Sequence, residues 1–188
     1  MVATPSTMVP LGSPAPAFSL AEPDGTNWTL DRVAGPRGTL VAFVCNHCPY
    51  VRHIAPHLGA LAARWRRRGL GVVGINPNGD REDEAPGLMA ANATAWRWTF
   101  PYVSDTEQAA ARAFHAACTP DFFLYDGARS LVYRGRFDAA RPGNGVPVTG
   151  DELAAAVDSV LAGEEIEIGQ LPSIGCSIKW RGSGETSA

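Results

Sequence analysis

The chain has 188 residues, 45% of them hydrophobic and 19% charged, with a net charge of −3. It is long enough to bury a core, and its charge gives no electrostatic basis for binding nucleic acid or an anionic membrane. No apolar stretch is long enough to span a bilayer, and the four cysteines are too few for a disulfide-stapled secreted scaffold.

Residues 1–17 read as an irregular arm, broken by Pro5, Pro10, Pro14 and Pro16. Up to Phe18 the chain lacks the basic and apolar regions of a signal peptide, which makes the cytoplasm the expected compartment. Phe18–Leu20 and Trp28–Leu30 flank Asp24-Gly25, a hairpin signal. Thr39–Val44 is apolar enough for a buried central strand. From Cys48 to about Arg68, Val51, Ile54, Leu58, Leu61 and Trp65 recur at helical spacing. Pro49 is tolerated in the first turn of that helix, and Pro56 is expected to kink it. The basic run Arg64–Arg68 reads as its solvated end.

Gly71–Ile75 forms the next expected strand and runs into an acidic, turn-rich loop over residues 76–84. A helix near Pro86–Trp96, an extended segment at Phe100–Ser104 and a helix from about Glu107 to Ala116 follow. Asp121–Tyr125 and Leu131–Arg134 are strands joined by the Asp126-Gly127 turn. Asp151–Leu161 closes the fold as a helix with an acidic first turn. The reading is one α/β domain over residues 18–163, a mixed sheet flanked by helices, with a tail over 164–188 expected to pack on it.

The chemistry concentrates at Cys45-Asn46-His47-Cys48, set between a strand and a helix. Two cysteines at this spacing can close a small disulfide ring, and a helix N-terminus stabilises a thiolate, the attacking form in disulfide exchange. Cys45 is expected to stand exposed at the helix start as nucleophile, with Cys48 one turn deeper as the resolving thiol. His47 is expected to support the Cys45 thiolate; His53 and His57 read as surface groups. A zinc site built from Cys45, Cys48, His115 and Cys118 has acceptable ligand types but is disfavoured, because His115 falls late in a helix. No cofactor or metal is expected. The aromatic residues Trp96, Trp98, Phe100 and Tyr102 read as core packing.

The strand-Cys45-x-x-Cys48-helix order, Thr119-Pro120 before the strand Asp121–Leu124, and the final hairpin and helix together resemble the thioredoxin fold. The phrases Cys45–Val51, Cys118–Leu124, Arg141–Thr149 and Pro172–Trp180 resemble its peroxiredoxin-like, AhpC/TSA-related branch, over nearly all of Phe18–Trp180. The resemblance implies a cis peptide at Thr119-Pro120, packed against the cysteines and offering backbone to a bound peptide. It also puts the peroxidatic position of a peroxiredoxin at Cys48, with Cys45 where that family carries threonine. His47 resembles the strongly oxidising members of the superfamily.

The expected activity is thiol–disulfide exchange with a disulfide-containing protein or small molecule and a thiol electron donor. The alternatives are a thiol peroxidase and a non-catalytic redox sensor or binding module on the same scaffold. Cys118 and Cys176 are candidates for a second redox pair, with the tail carrying Cys176 towards Cys118.

Overall fold

The computed structural model describes residues 3–182. Its frame is set by β4 (Gly38–Phe43), a strand in which every residue is buried. A strand reads as a continuous apolar run when both its faces are covered. Leu40, Ala42 and Val44 join one hydrophobic cluster, and Val41 and Phe43 join the other. The alternation follows from the two-residue period of a strand.

Beside β4 runs β8 (Asp121–Asp126), antiparallel with Leu40 opposite Leu124, and β8 pairs in turn with β9 (Leu131–Gly135). On the other side lies β5 (Leu70–Asn76), where Val44 N–H donates to the Ile75 carbonyl at 2.9 Å. β6 (Tyr102–Ser104) is parallel to β5. The hairpin of β2 (Ser19–Ala21) and β3 (Asn27–Thr29) completes that edge, with Leu20 opposite Trp28.

Five helices cover this sheet: α1 (Leu30–Val33), α2 (Pro49–Arg67), α3 (Pro86–Ala95), α4 (Ala109–Ala113) and α5 (Asp151–Ala162). The helix expected over Glu107–Ala116 is shorter, because Gln108 and His115 at its two ends take positive φ. Buried residues of α2 and α5 pack in one cluster, and those of α1 and α4 in the other. The aromatic residues pack as expected: Trp98 stacks on Phe100 at 4.9 Å, and its indole N–H donates to the Ala55 carbonyl of α2. Gly59 makes room for them, since a Cβ there would come 2.7 Å from the Trp96 carbonyl.

Both ends of the chain add structure that their composition did not announce. Within the arm, β1 (Ala3–Pro5) pairs with β10 (Ile174–Ser177) of the tail, and β10 pairs with β7 (Cys118–Thr119) in a small antiparallel sheet. Isolated three- and four-residue strands carry too little periodicity to read; here backbone pairing between distant segments decides them. Arg134 fastens the arm further: its buried guanidinium pairs with Asp121 and donates to the Thr7 carbonyl.

Candidate active site

Past β4, Val44–Asn46 stay buried, and Cys48 caps α2 with Pro49 as its first residue. Proline suits that position because its missing N–H would have no helical acceptor. The free N–H groups of the first turn therefore lie next to the Cys48 sulfur, not next to Cys45.

Neither thiol of the pair is exposed, contrary to the expected exposed nucleophile at Cys45; both residues have 0% relative exposure, and none of the four cysteines is in a disulfide. Cys45 Sγ lies 3.2 Å from the Thr119 hydroxyl. Its pKa is pushed well above the ordinary thiol range, by burial first, then by its hydrogen bond to Cys48 and by the nearby Glu84 carboxylate.

Cys48 goes the other way, down to about 5. The main cause is the Cys45 thiol donating to it; the Cys176 thiol and the N–H groups of Val51 and Cys176 add to this, against burial. The Val51 N–H faces the sulfur without closing a full capping bond. The Thr119 carbonyl, 3.0 Å away, accepts from the protonated thiol and favours that form. The donors outweigh it.

The side chain missing from the sequence reading is Glu84, fully buried in the 3-10 turn Glu82–Glu84. One carboxylate oxygen accepts from Asn46 N–H at 2.7 Å and from the Asn76 amide at 2.8 Å; the other accepts from His47 N–H at 3.0 Å. His47 Nδ1 also contacts Glu84 closely. The imidazole therefore partners a carboxylate rather than a cysteine sulfur. That differs from its expected place as support for Cys45. Nothing local marked it out among the acids of this loop: Arg81, the basic residue of the same turn, pairs with Asp83 instead. Tyr102 donates to the Asn46 side chain at 3.2 Å, tying the loop to the aromatic cluster. Of the other histidines, His57 is exposed and His53 only partly so.

The Thr119-Pro120 peptide is cis, and Thr119 meets both cysteines of the loop. The backbone before Pro120, expected to be open to a bound peptide, is instead paired by β10. Register also corrects the expected second redox pair. Cys176 stands opposite Thr119, and Ser177 opposite Cys118. Neighbouring residues of a strand point to opposite faces, so Cys176 turns with Thr119 towards the Cys45–Cys48 loop, and Cys118 turns away. Accordingly Cys176 Sγ lies 3.0 Å from Cys48 Sγ, whereas the Cys118 thiol faces the Pro120 carbonyl at 3.6 Å and is raised by burial.

Among the described residues, the group bringing three metal-ligand types together is Cys45, His47 and Glu84, with donor atoms within 4.8 Å of one another. His115 is exposed and outside it. A cleft of about 770 Å³ lies at the opposite end of β4, beside Leu11, Arg37, Asp126 and Val160, away from the thiols. No helix of the described residues is long and apolar enough to cross a membrane.

A cis-proline strand facing a cysteine pair at the start of the helix after a central strand defines a thioredoxin-like protein. The profile of the AhpC/TSA family matches residues 11–134, and the chain belongs to that family. Solved structures similar to it include a hypothetical protein from Sinorhizobium meliloti 1021, 45% identical, with a TM-score of 0.92 over 95% of this chain and 99% of that one. An uncharacterized conserved protein from Geobacillus kaustophilus is 42% identical, with a TM-score of 0.93 over 98% and 99% of the two chains. A secreted disulfide oxidoreductase of Mycobacterium tuberculosis, 18% identical, shares the fold with a TM-score of 0.59 over 76% and 95%. No curated protein matches the chain. Family and fold together support a thioredoxin-like redox function.

Proposed function

We propose that the protein is a thiol–disulfide oxidoreductase working through Cys45 and Cys48, with Cys48 as the attacking thiolate and Cys45 as the resolving thiol. The observation that carries this reading is the Cys48 sulfur at the N-cap of α2, ringed by donors that hold it near pKa 5 while burial and Glu84 keep Cys45 protonated. This order is the reverse of the one suggested by the motif alone. A Cys48 thiolate attacks a substrate disulfide, one substrate thiolate leaves, and a mixed disulfide forms. Cys45 then gives up its proton, attacks the Cys48 sulfur and releases the second substrate thiol. A thiol donor reduces the Cys45–Cys48 disulfide to complete the cycle. Because both sulfurs are buried, a substrate sulfur reaches Cys48 only as neighbouring side chains move aside.

The same N-cap thiolate would serve a thiol peroxidase, which makes that the second reading. The two are separated by measuring reduction of a small aromatic disulfide and consumption of hydrogen peroxide, each driven by a thiol donor. The expected result is disulfide reduction that Cys48→Ser abolishes. Peroxide turnover without disulfide exchange, or full exchange activity in Cys48→Ser, would overturn the reading.

A further inference from the structure

We propose that Cys176 is a second resolving cysteine, so that Cys48 is a hub able to close a disulfide with either Cys45 or Cys176. The inference builds on the oxidoreductase reading but uses geometry that reading does not need. Cys48 Sγ has Cys176 Sγ 3.0 Å away. Such an approach between residues 128 positions apart needs a device to hold it, and the structure provides two.

The first is backbone pairing. Cys176 is the central residue of a three-stranded ladder, opposite Ala3 on one side and Thr119 on the other. Its Cα is thereby fixed relative to the strand that meets Cys45 and Cys48. The second is Gly175. A Cβ there would fall 2.0 Å from the Thr119 carbonyl oxygen and 3.0 Å from the Pro120 nitrogen. Only a residue without a side chain lets β10 lie this close to the cis peptide, and that closeness brings the next residue's sulfur to Cys48.

The chemistry balances without an added oxidant. In the mixed disulfide between Cys48 and substrate, the Cys176 thiol loses its proton and attacks the Cys48 sulfur. The substrate thiolate leaves and takes up a proton, and the Cys48–Cys176 bond forms. Starting instead from the Cys45–Cys48 disulfide, attack by Cys176 on Cys48 releases the Cys45 thiolate. The oxidising equivalent moves from one flank of the hub to the other, with no change in the number of electrons on the protein. Cys118, on the opposite face, takes no part.

The test uses the full chain as Cys45→Ser and as the double variant Cys45→Ser with Cys176→Ser, each checked for native circular dichroism. Reduced protein is treated with one equivalent of glutathione disulfide, quenched in acid, alkylated and mapped without reduction. In Cys45→Ser the expected result is a linked Cys48–Cys176 peptide, the loss of two thiols, an alkylated Cys118 and no retained glutathione. In the double variant, glutathione should stay on Cys48. In the unaltered chain, both Cys45–Cys48 and Cys48–Cys176 linked peptides should appear. Glutathione retained on Cys48 in Cys45→Ser, with Cys176 alkylated, would overturn the proposal and leave the oxidoreductase reading standing. No adduct at Cys48 in the double variant would overturn that reading, and the proposal with it.

Discussion

The two flanks of the Cys45–Cys48 loop are built from different materials, and they reinforce the opposite shifts that burial of Cys45 and its hydrogen bond to Cys48 set up. On the Cys45 flank, a buried carboxylate collects the loop's own N–H groups and the His47 ring, and its negative charge opposes a second anion nearby. On the Cys48 flank there is no carboxylate among the causes of its shift, only thiol and backbone donors that prefer an anion between them. Cysteines three residues apart thus shift in opposite directions, through burial and the hydrogen bond between them first, and then through Glu84 beside Cys45 and Cys176 beside Cys48. The spacing makes a redox pair possible, and in the proposed mechanism these surroundings choose which sulfur attacks.

The strongest way to break the contrast is Glu84→Ala. Removing this acceptor strands the N–H groups of Asn46 and His47 and the amide of Asn76, and should cost about 3–5 kcal/mol in urea unfolding. It should also bring the Cys45 pKa down towards the ordinary thiol range, read from its alkylation rate against pH. A loss below about 1 kcal/mol would mean that water replaces the carboxylate and that the loop is less enclosed than it looks.

Gly175→Ala attacks the other flank. Its Cβ cannot coexist with the Thr119 carbonyl, so β10 must shift, at a cost of about 1–3 kcal/mol. The Cys48–Cys176 linkage should vanish from peptide maps while Cys45–Cys48 persists.

The pH dependence sharpens the comparison. The alkylation rate of Cys48 should rise with a midpoint near pH 5. Cys45→Ala should move that midpoint upwards by more than Cys176→Ala does, because the Cys45 thiol is the largest source of the depression. Stability follows with definite signs. The folded pKa of Cys48 lies below its unfolded value, so its contribution is full above the ordinary thiol range and is lost as the pH falls through about 5. For Cys45 the folded value is raised, so its contribution is full below the ordinary range and is lost as the pH climbs towards its folded value. Denaturation of the Cys48→Ser and Cys45→Ser proteins across pH should remove one limb each.

The smallest effect belongs to Asp83→Asn. This carboxylate is 43% exposed and 3.8 Å from His47, so water screens it. It should change stability by about 0.5 kcal/mol or less and leave both thiol titrations in place. A large shift would move the source of the field from Glu84 to its exposed neighbour.

Much of the architecture was legible because it rests on local pattern. Val51, Ile54, Leu58 and Trp65 are buried along α2, as their helical spacing requires. The Asp24-Gly25 and Asp126-Gly127 turns join the hairpins that they punctuate. Pro49 and Cys48 sit at the start of α2, where a proline can. The ends of the chain and the flanks of the site were not legible in this way. Ala3–Pro5 and Ile174–Ser177 are too short and too mixed in composition to show a strand period, and they pair only because folding brings them together.

By itself, then, the sequence determined a thioredoxin-like α/β domain and pointed to a candidate site, since period, turn residues and the Cys45–Cys48 spacing act over a few positions. Only the tertiary structure decided that Glu84 collects the loop's donors, that Cys176 rather than Cys118 meets Cys48, and that Cys45 is buried. The reason is physical: a thiol's pKa and partners depend on burial and on charges and donors within a few ångströms, and here Glu84, Thr119 and Cys176 among them come from far along the chain. A one-residue offset in the pairing of β7 with β10 was enough to turn Cys176 to the active face and Cys118 to the other, and no local pattern records that register.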